Sequence, residues 1–501
     1  MNAHPALLQW PVEPSDAIGL AIWTADEIAA ATGGKASGTF EVSGCATDSR
    51  EVQPGDLFIA LKGAESDGHR FLEGAFSRGA AAALVDRPVG WPHVLVESTT
   101  QALVDLGHAA RARVDAMDAV VIGVTGSAGK TGVKEALFAA LDRGSRGRAH
   151  RSVKSYNNHV GVPLSLARMP ARSKFGVFEM GMNHAGELAA LTRLVRPDIA
   201  IVTTIAPAHI GHFSGEEAIA HAKAEIFEGL EPGGTAIIPA DNPHHALLRE
   251  AAARHAARVV SFGRGAHADA RLLDAVPAFA GGTLVTAAFT GPLGLRKLCY
   301  TIAMPGAHWV DNSLAVMAAV AAAGGDLGAA GLALSEMEGL AGRGARHVIA
   351  APAGDGSGKA LLIDESYNAN PASMRATIAS LGEVPARRRI AVLGAMKELG
   401  EASDAYHAAL AGPLIAAGVE RIILVGTEMA ALAKALGKSA EGVLAGRIEL
   451  DHAENAAGAA ECLAADCPQG GDAILVKGSN SVGLGTLVRA LTAGARKAGE
   501  N

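Results

Sequence analysis

Cysteine is scarce in this chain, and Cys45, Cys299, Cys462 and Cys467 have neither the spacing of a zinc ligand set nor that of a disulfide framework. Free buried thiols are the expectation for all four. Charge of one sign is lacking too: 44 basic against 51 acidic residues leave a net of -7, so no strong field draws the protein to nucleic acid. The first residues, MNAHPALLQWPVEPSD, lack a basic stretch ahead of an apolar one and do not read as a signal peptide. No apolar run is long enough to span a membrane, because the Ala-rich stretch at 314–323 is short and flanked by Asp311 and Asp326. These absences point to the cytoplasm. Repeats of solenoid period and low-complexity linkers are missing as well.

What is present is apolar: 49% of 501 residues are hydrophobic and 19% charged, enough to bury several cores. At roughly 100–200 residues per domain the chain predicts about three. Expected boundaries are 1–116, 117–343 and 344–501. Short apolar runs such as GDLFIALKG (55–63) and AALVD (82–86) predict a small α/β unit first. A second unit opens with the strand AVVIGV (119–124), a Gly-rich turn and the helix TGVKEALFAAL, then continues through KFGVFEM (174–180) and DIAIVTTI (198–205). This alternation predicts a mostly parallel sheet covered by helices, more β-like around 270–303 and closed by a helix over 308–323. GRGAR (342–346) reads as a hinge. Strands at 360–365, 388–394, 421–426 and 473–478 predict a third, Rossmann-like unit.

Chemistry concentrates at TGSAGKT (125–131), between a buried strand and a helix, where backbone N–H groups and the helix dipole meet a phosphate. Lys130 is placed to reach the β- and γ-phosphates and Thr131 to offer a hydroxyl to magnesium. Val124 stands where the strict P-loop has Gly, so this is the shorter GxxGKT form, and an ordinary tight turn is the alternative. Glu179 ends the strand VFEMG, where parallel sheets present ligand-binding groups; a metal ligand and a solvated strand end both fit. His209 follows another strand and predicts convergence with Glu179 and the Gly-rich turn at one sheet edge. Lys223 falls on the apolar stripe Ile219, Ile226, Phe227 and Leu230 of the helix EEAIAHAKAEIFEGL. A lysine facing the core must pair, lose its proton or be chemically altered, unless its head snorkels to water.

TGSAGKT, NNHVGVP (157–163), FEMGMNHAGE (178–187), AHIGHF (208–213), AHAKAEIF (220–227), GAHWVDNSLAV (306–316) and LIDESYNANPASM (362–374) occur in the order seen in Mur ligases. The chain resembles that family over nearly its whole length, with DSR (48–50) and GDLFIALKG in the first unit. ESYNANP and VLGAMKELG (392–400) are similar to the branch that joins D-alanyl-D-alanine to UDP-N-acetylmuramoyl-tripeptide through an acyl phosphate. The resemblance implies ATP and Mg2+ as cofactors and those two molecules as substrates, with no membrane insertion and a monomer. It implies that Thr125, Gly126, Ser127, Ala128, Gly129, Lys130 and Thr131 hold the nucleotide with Asn312, Arg343 and the pair Asp364–Glu365. It assigns the metal to Thr131, Glu179, His209 and a carbamylated Lys223, with Lys130 also catalytic. Ser49, Arg50, Lys62, Asn157, Asn158, Tyr367, Asn368 and Asn370 are the substrate-binding positions it implies.

Two departures stand out: Glu365 replaces a second Asp, leaving open which acid touches nucleotide, and Asn480 stands where Arg is common. The rival readings are a ligase adding a diamino acid to the preceding precursor, a folate polyglutamylating ligase, and a silent nucleotide-binding regulator. DNPH (241–244) resembles the first rival's signature but falls in the middle unit, and reads as a turn.

Overall fold

The computed structural model describes residues 21–63, 66–207, 210–279, 281–291, 294–351, 358–438, 446 and 448–498. A five-stranded sheet comes first, in the order Lys35–Ala36, His93–Leu95, Ala82–Val85, Asp56–Ile59 and Gly44–Ala46; only the edge strand Lys35–Ala36 is antiparallel. DLFI and AALV are buried along their whole length, as befits strands covered on both faces.

The middle sheet has nine strands, in the order Gly294–Ile302, Thr283–Gly291, Ala270–Pro277, Arg258–Gly263, Thr235–Pro239, Ile199–Val202, Val120–Thr125, Phe175–Glu179 and Ala149–Arg151. The strands from Ala270–Pro277 to Ala149–Arg151 run parallel, while Thr283–Gly291 and Gly294–Ile302 add an antiparallel arm. That arm is the β-like, Gly-rich region the sequence predicts. One face of the middle sheet shares a core with the first unit, where Trp23, Ile28, Leu57 and Leu103 join Phe178, Ile226 and Phe227. Each such fully buried apolar side chain contributes about 1.5–3 kcal/mol, so the two units meet through a continuous apolar core. Trp23 Nε1 also donates to Ala167 O at 2.8 Å, and Arg113 to Ile22 O and Met169 O at 2.7 and 2.8 Å.

The third sheet runs Ala345–Ala350, Lys359–Glu365, Asp472–Lys477, Arg388–Gly394, Arg421–Val425 and Glu449–Ala453, parallel except at its first strand. Gly342 and Gly344 precede it at φ 73° and 87°, a left-handed conformation that glycine adopts without strain.

Three local expectations need correction. The helix carrying Lys223 spans Glu216–Ala224 and then tightens to a 3-10 turn at Glu225–Gly229, where the Thr192 hydroxyl takes the Ile226 carbonyl at 2.7 Å. A further helix, Leu327–Glu336, hides behind Gly328 and Gly331, poor helix formers, but Asp326 caps it by accepting from Gly328 N and Ala329 N. Of the four thiols only Cys45 is buried; Cys462 is half-buried, while Cys299 on the antiparallel arm and Cys467 at a helix end are exposed. Among the described residues no helix is long and apolar enough to cross a membrane.

Candidate active site

The strand Val120–Thr125 lies between Ile199–Val202 and Phe175–Glu179, so the loop after it leaves the sheet at a crevice between diverging connections. Gly126 makes the turn at φ 147°; a Cβ there would sit 1.9 Å from Thr203 Oγ1. Gly129 follows at φ 84° and the helix Lys130–Ser145 begins directly behind it. The first N–H groups of that helix have no acceptor within it, and with the helix dipole they form a cradle for an anion. Ser127 fixes the loop by donating from N to Thr204 O and from Oγ to Ala206 O, both at 2.8 Å. The Lys130 ammonium donates to Gly126 O at 2.7 Å. Burial pushes its pKa down, and the Glu179 carboxylate partly offsets that.

Glu179 pairs in register with Val124, which brings its carboxylate beside the loop. It is buried, accepting from the Thr131 hydroxyl and from Asn157 Nδ2, each at 2.8 Å. Ser155 lies 3.4 Å from Thr131 Oγ1 and accepts from Arg343 Nη2 at 3.0 Å, while the Arg343 guanidinium stacks over Tyr367, 4.6 Å from the ring centre. The convergence of Glu179 with the Gly-rich loop is therefore present.

The third sheet closes this edge. Asn370 caps the helix Pro371–Gly382 and donates from Nδ2 to Ser127 O at 3.0 Å, seating the third unit on the phosphate loop. Between them lies a cavity of about 670 Å³, lined by Ser127–Lys130, Asn157, Glu179, Asn312, Arg343, Glu365, Tyr367, Asn368 and Asn370. Glu365 reaches the cavity, whereas Asp364 is turned toward the Gly342 turn, accepting from Gly342 N at 2.7 Å and from the Ser366 hydroxyl at 2.6 Å.

Other expected residues sit elsewhere. Lys223 is buried, 1% exposed, and does not line the cavity, but it lies close enough to Lys130 for the two ammonium groups to repel. Its pKa is pushed well below the usual lysine value, first by burial and then by Lys130. His209 lies outside the described residues. Asn158 accepts from Val160 N and Gly161 N and starts a helix rather than lining the cavity. Ser49, Arg50 and Lys62 belong to the first unit away from the cavity, with Arg50 exposed and paired to Asp48 at 2.6 Å.

Several wall residues escape a reading by motif. Asp241, Asn242 and Pro243 form the expected turn, yet they line the cavity beside Trp309, whose ring covers Gly132. Asn242 donates to Ile205 O at 2.9 Å. Lys477 and Asn480 close the wall from the third sheet. DNPH and Asn480 drew notice only as a rival's signature and as a departure from Arg, and for Lys477 the sole signal is its place at a strand end.

Two oxygen donors, Thr131 Oγ1 and Glu179 Oε2, stand together at the phosphate end of the cavity. Among the described residues no group of three or more His, Cys, Asp or Glu forms a metal cage. This pair of oxygens fits part of the shell of a magnesium ion, which takes oxygen donors and shares them with phosphate and water.

A phosphate-binding loop at a parallel sheet edge, roofed by a second parallel sheet, defines a multidomain nucleotide-using α/β enzyme. Family models described as the Mur ligase family catalytic domain, the Mur ligase middle domain and the Mur ligase glutamate ligase domain match residues 41–129, 124–320 and 353–480. The UDP-N-acetylmuramoyl-tripeptide--D-alanyl-D-alanine ligase of Escherichia coli K12 is 34% identical, over 89% of this chain and 92% of its own length. The crystal structure of MurF from Acinetobacter baumannii is 30% identical and superposes with a TM-score of 0.76, over 94% of this chain and 98% of that one. MurF ligase from Thermotoga maritima, solved in complex with ADP, shares the fold at 24% identity and a TM-score of 0.68, over 91% and 98%. The chain belongs to the Mur ligase family.

Proposed function

We propose that this protein joins D-alanyl-D-alanine to UDP-N-acetylmuramoyl-tripeptide, converting ATP to ADP and phosphate and completing the peptidoglycan pentapeptide precursor. The observation that carries this reading is the single cavity in which the phosphate loop, Glu179, Arg343, Glu365 and Lys477 meet. Relatives bearing the name of this ligase, 34% identical over most of the chain, supply the substrate class. The diamino-acid rival is not favoured, because DNPH stands in the middle sheet's wall and not in the third unit.

In the first step a carboxylate oxygen of the tripeptide attacks the γ-phosphorus of ATP, the bond to the bridging oxygen breaks, and ADP leaves. Lys130 and the N-terminal N–H groups of its helix offset charge on the transferring phosphoryl group. In the second step the dipeptide amine attacks the acyl phosphate carbon, phosphate departs and the amine gives up a proton. Thr131 and Glu179 would hold magnesium with His209 and carbamylated Lys223; when bound it neutralises phosphate charge. The depressed basicity of Lys223 suits carbamylation: the neutral amine adds to the carbon of CO2 and releases a proton.

Units 1–116, 117–343 and 344–501 divide the work, taking the UDP-sugar, the nucleotide and the dipeptide in that order. Ser49, Arg50 and Lys62 serve the sugar nucleotide. Asn312, Arg343 and Glu365 serve ATP, with Asp364 holding the hinge. Seating of Asn370 on the phosphate loop excludes water from the acyl phosphate. The protein acts as a monomer on precursors made in the cytoplasm. The test is whether release of ADP and phosphate requires both UDP-N-acetylmuramoyl-tripeptide and D-alanyl-D-alanine, with a product of the summed mass less water. Turnover with neither substrate would overturn the reading.

A further inference from the structure

Lys477 ends the strand Asp472–Lys477, which lies between Lys359–Glu365 and Arg388–Gly394 and runs parallel to both. Its side chain thus emerges at the carboxyl edge of the third sheet, on the cavity wall, although it is only 2% exposed. The ammonium donates to Asn368 O at 2.9 Å. Its carboxylate neighbour, Glu365, is at 3.5 Å, longer than a close ionic hydrogen bond. His308, on the same cavity wall, is held neutral by burial and by Lys477 itself, its pKa pushed down to about 4, so it adds no positive charge of its own. The ammonium thus has one long ion pair and one carbonyl acceptor, and of its three donors one remains for an incoming anion.

Three Lys or Arg side chains line the cavity among the described residues: Lys130, Arg343 and Lys477. Lys130 lies along the phosphate loop, and Arg343 bonds to Ser155 beside Thr131, so both belong to the phosphate end. Lys477 is the cation offered by the third sheet.

We propose that Lys477 receives the terminal carboxylate of the incoming dipeptide, a proposal that rests on the ligase reading above. The carboxylate takes up the ammonium's remaining donor and adds a closer counter-charge to the long pair with Glu365. Held at that end, the dipeptide directs its amine toward the phosphate loop. A dipeptide whose carboxyl group is blocked leaves the buried ammonium without this partner and binds weakly.

The test compares D-alanyl-D-alanine with its C-terminal amide as substrates of the full-length enzyme. The native enzyme is expected to favour the acid over the amide by about 30-fold or more in kcat/KM. Lys477→Met raises KM for the acid by a similar factor and KM for the amide far less, and so removes most of the discrimination, whereas a merely structural loss would weaken both compounds alike. Lys477→Arg keeps the cation and retains a preference for the acid, which tests the proposal if the Met variant does not fold. Equal use of acid and amide by the native enzyme would overturn the proposal, as would undiminished discrimination in Lys477→Met. If the native enzyme ligates neither compound to the UDP-linked tripeptide, the ligase reading itself falls.

Discussion

The Tyr156 phenol donates to the Glu51 carboxylate at 2.5 Å, joining the turn after Asp48–Ser49–Arg50 to the wall of the phosphate site. Lys154 pairs with the same carboxylate. Residues on the other side of this short segment work in the opposite direction: Ser155 contacts Thr131 and Arg343, and Asn157 contacts Glu179. Lys134, fully buried, pins the segment from below through Ser152 O and Lys154 O, at 2.8 and 2.5 Å. Burial alone would raise the Glu51 pKa, but hydrogen bonds from Lys154 and Tyr156 outweigh it and hold the carboxylate ionised.

Tyr156→Phe removes that hydrogen bond and keeps the ring. The expected result is a severalfold rise in KM for both ATP and the UDP-linked substrate, with folding intact. Glu51→Ala removes the Lys154 pair as well and should cost at least as much, and adding Tyr156→Phe to it should cost nothing further, since that hydrogen bond is already lost. Additive losses in steady-state kinetics would show that the two side chains act separately.

Thr131→Ala deletes the hydroxyl that donates to Glu179 at the phosphate end. ATP turnover is expected to fall by about 10- to 100-fold, with calorimetric affinity for the UDP-linked tripeptide unchanged. Equal losses in both would contradict the division of labour between the first and second units.

Lys223→Ala should abolish ligation, and formate or acetate at millimolar concentration should restore part of it by filling the place of the carbamate. An Ala variant with full activity would remove the carbamate from the mechanism.

His150 sets a pH dependence of stability. Its ring donates to Ser165 O at 2.8 Å, and burial lowers its pKa from 6.5 to about 4. The unfolded chain binds a proton near pH 6.5 and the folded protein only near pH 4. Stability is therefore complete above pH 6.5 and declines as pH falls toward 4, by at most about 3 kcal/mol from this residue. Thermal melts of His150→Gln, which keeps a donor for Ser165, should decline less steeply over that window. Parallel curves for the two proteins would assign the loss to other groups.

The sequence made the strands legible because parallel strands buried on both faces are written as apolar runs, VVIGV and AILV among them. Lys130, Thr131 and Glu179 were legible for a related reason, since each sits at a junction where a run gives way to a turn or helix. The apolar stripe left Lys223 either buried or snorkelling to water, and the structure buries it. Lys477 was hidden because its run, DAILVK, ends in a charge like many solvated strands, and only the third sheet's placement against the loop turns it into a wall. The choice between Asp364 and Glu365 was equally closed to pattern, because adjacent strand residues point to opposite faces and the sequence does not say which face meets the cavity. Asp364 goes to the Gly342 turn and Glu365 to the cavity. Helix Leu327–Glu336 was masked by its glycines and is held by packing against the helix at Lys130–Ser145.

The seat of the third unit on the phosphate loop is a clasp from a side-chain amide, Asn370, to a main-chain carbonyl, that of Ser127. Ser127's own hydroxyl is spent on Ala206. A change of side chain at 127 thus reaches the catch only through the loop that its hydroxyl fixes, whereas change at 370 releases it directly and loosens the start of a helix as well. A small molecule that captured the Ser127 carbonyl would prop the jaws apart, and no side chain placed at 127 would win that acceptor back.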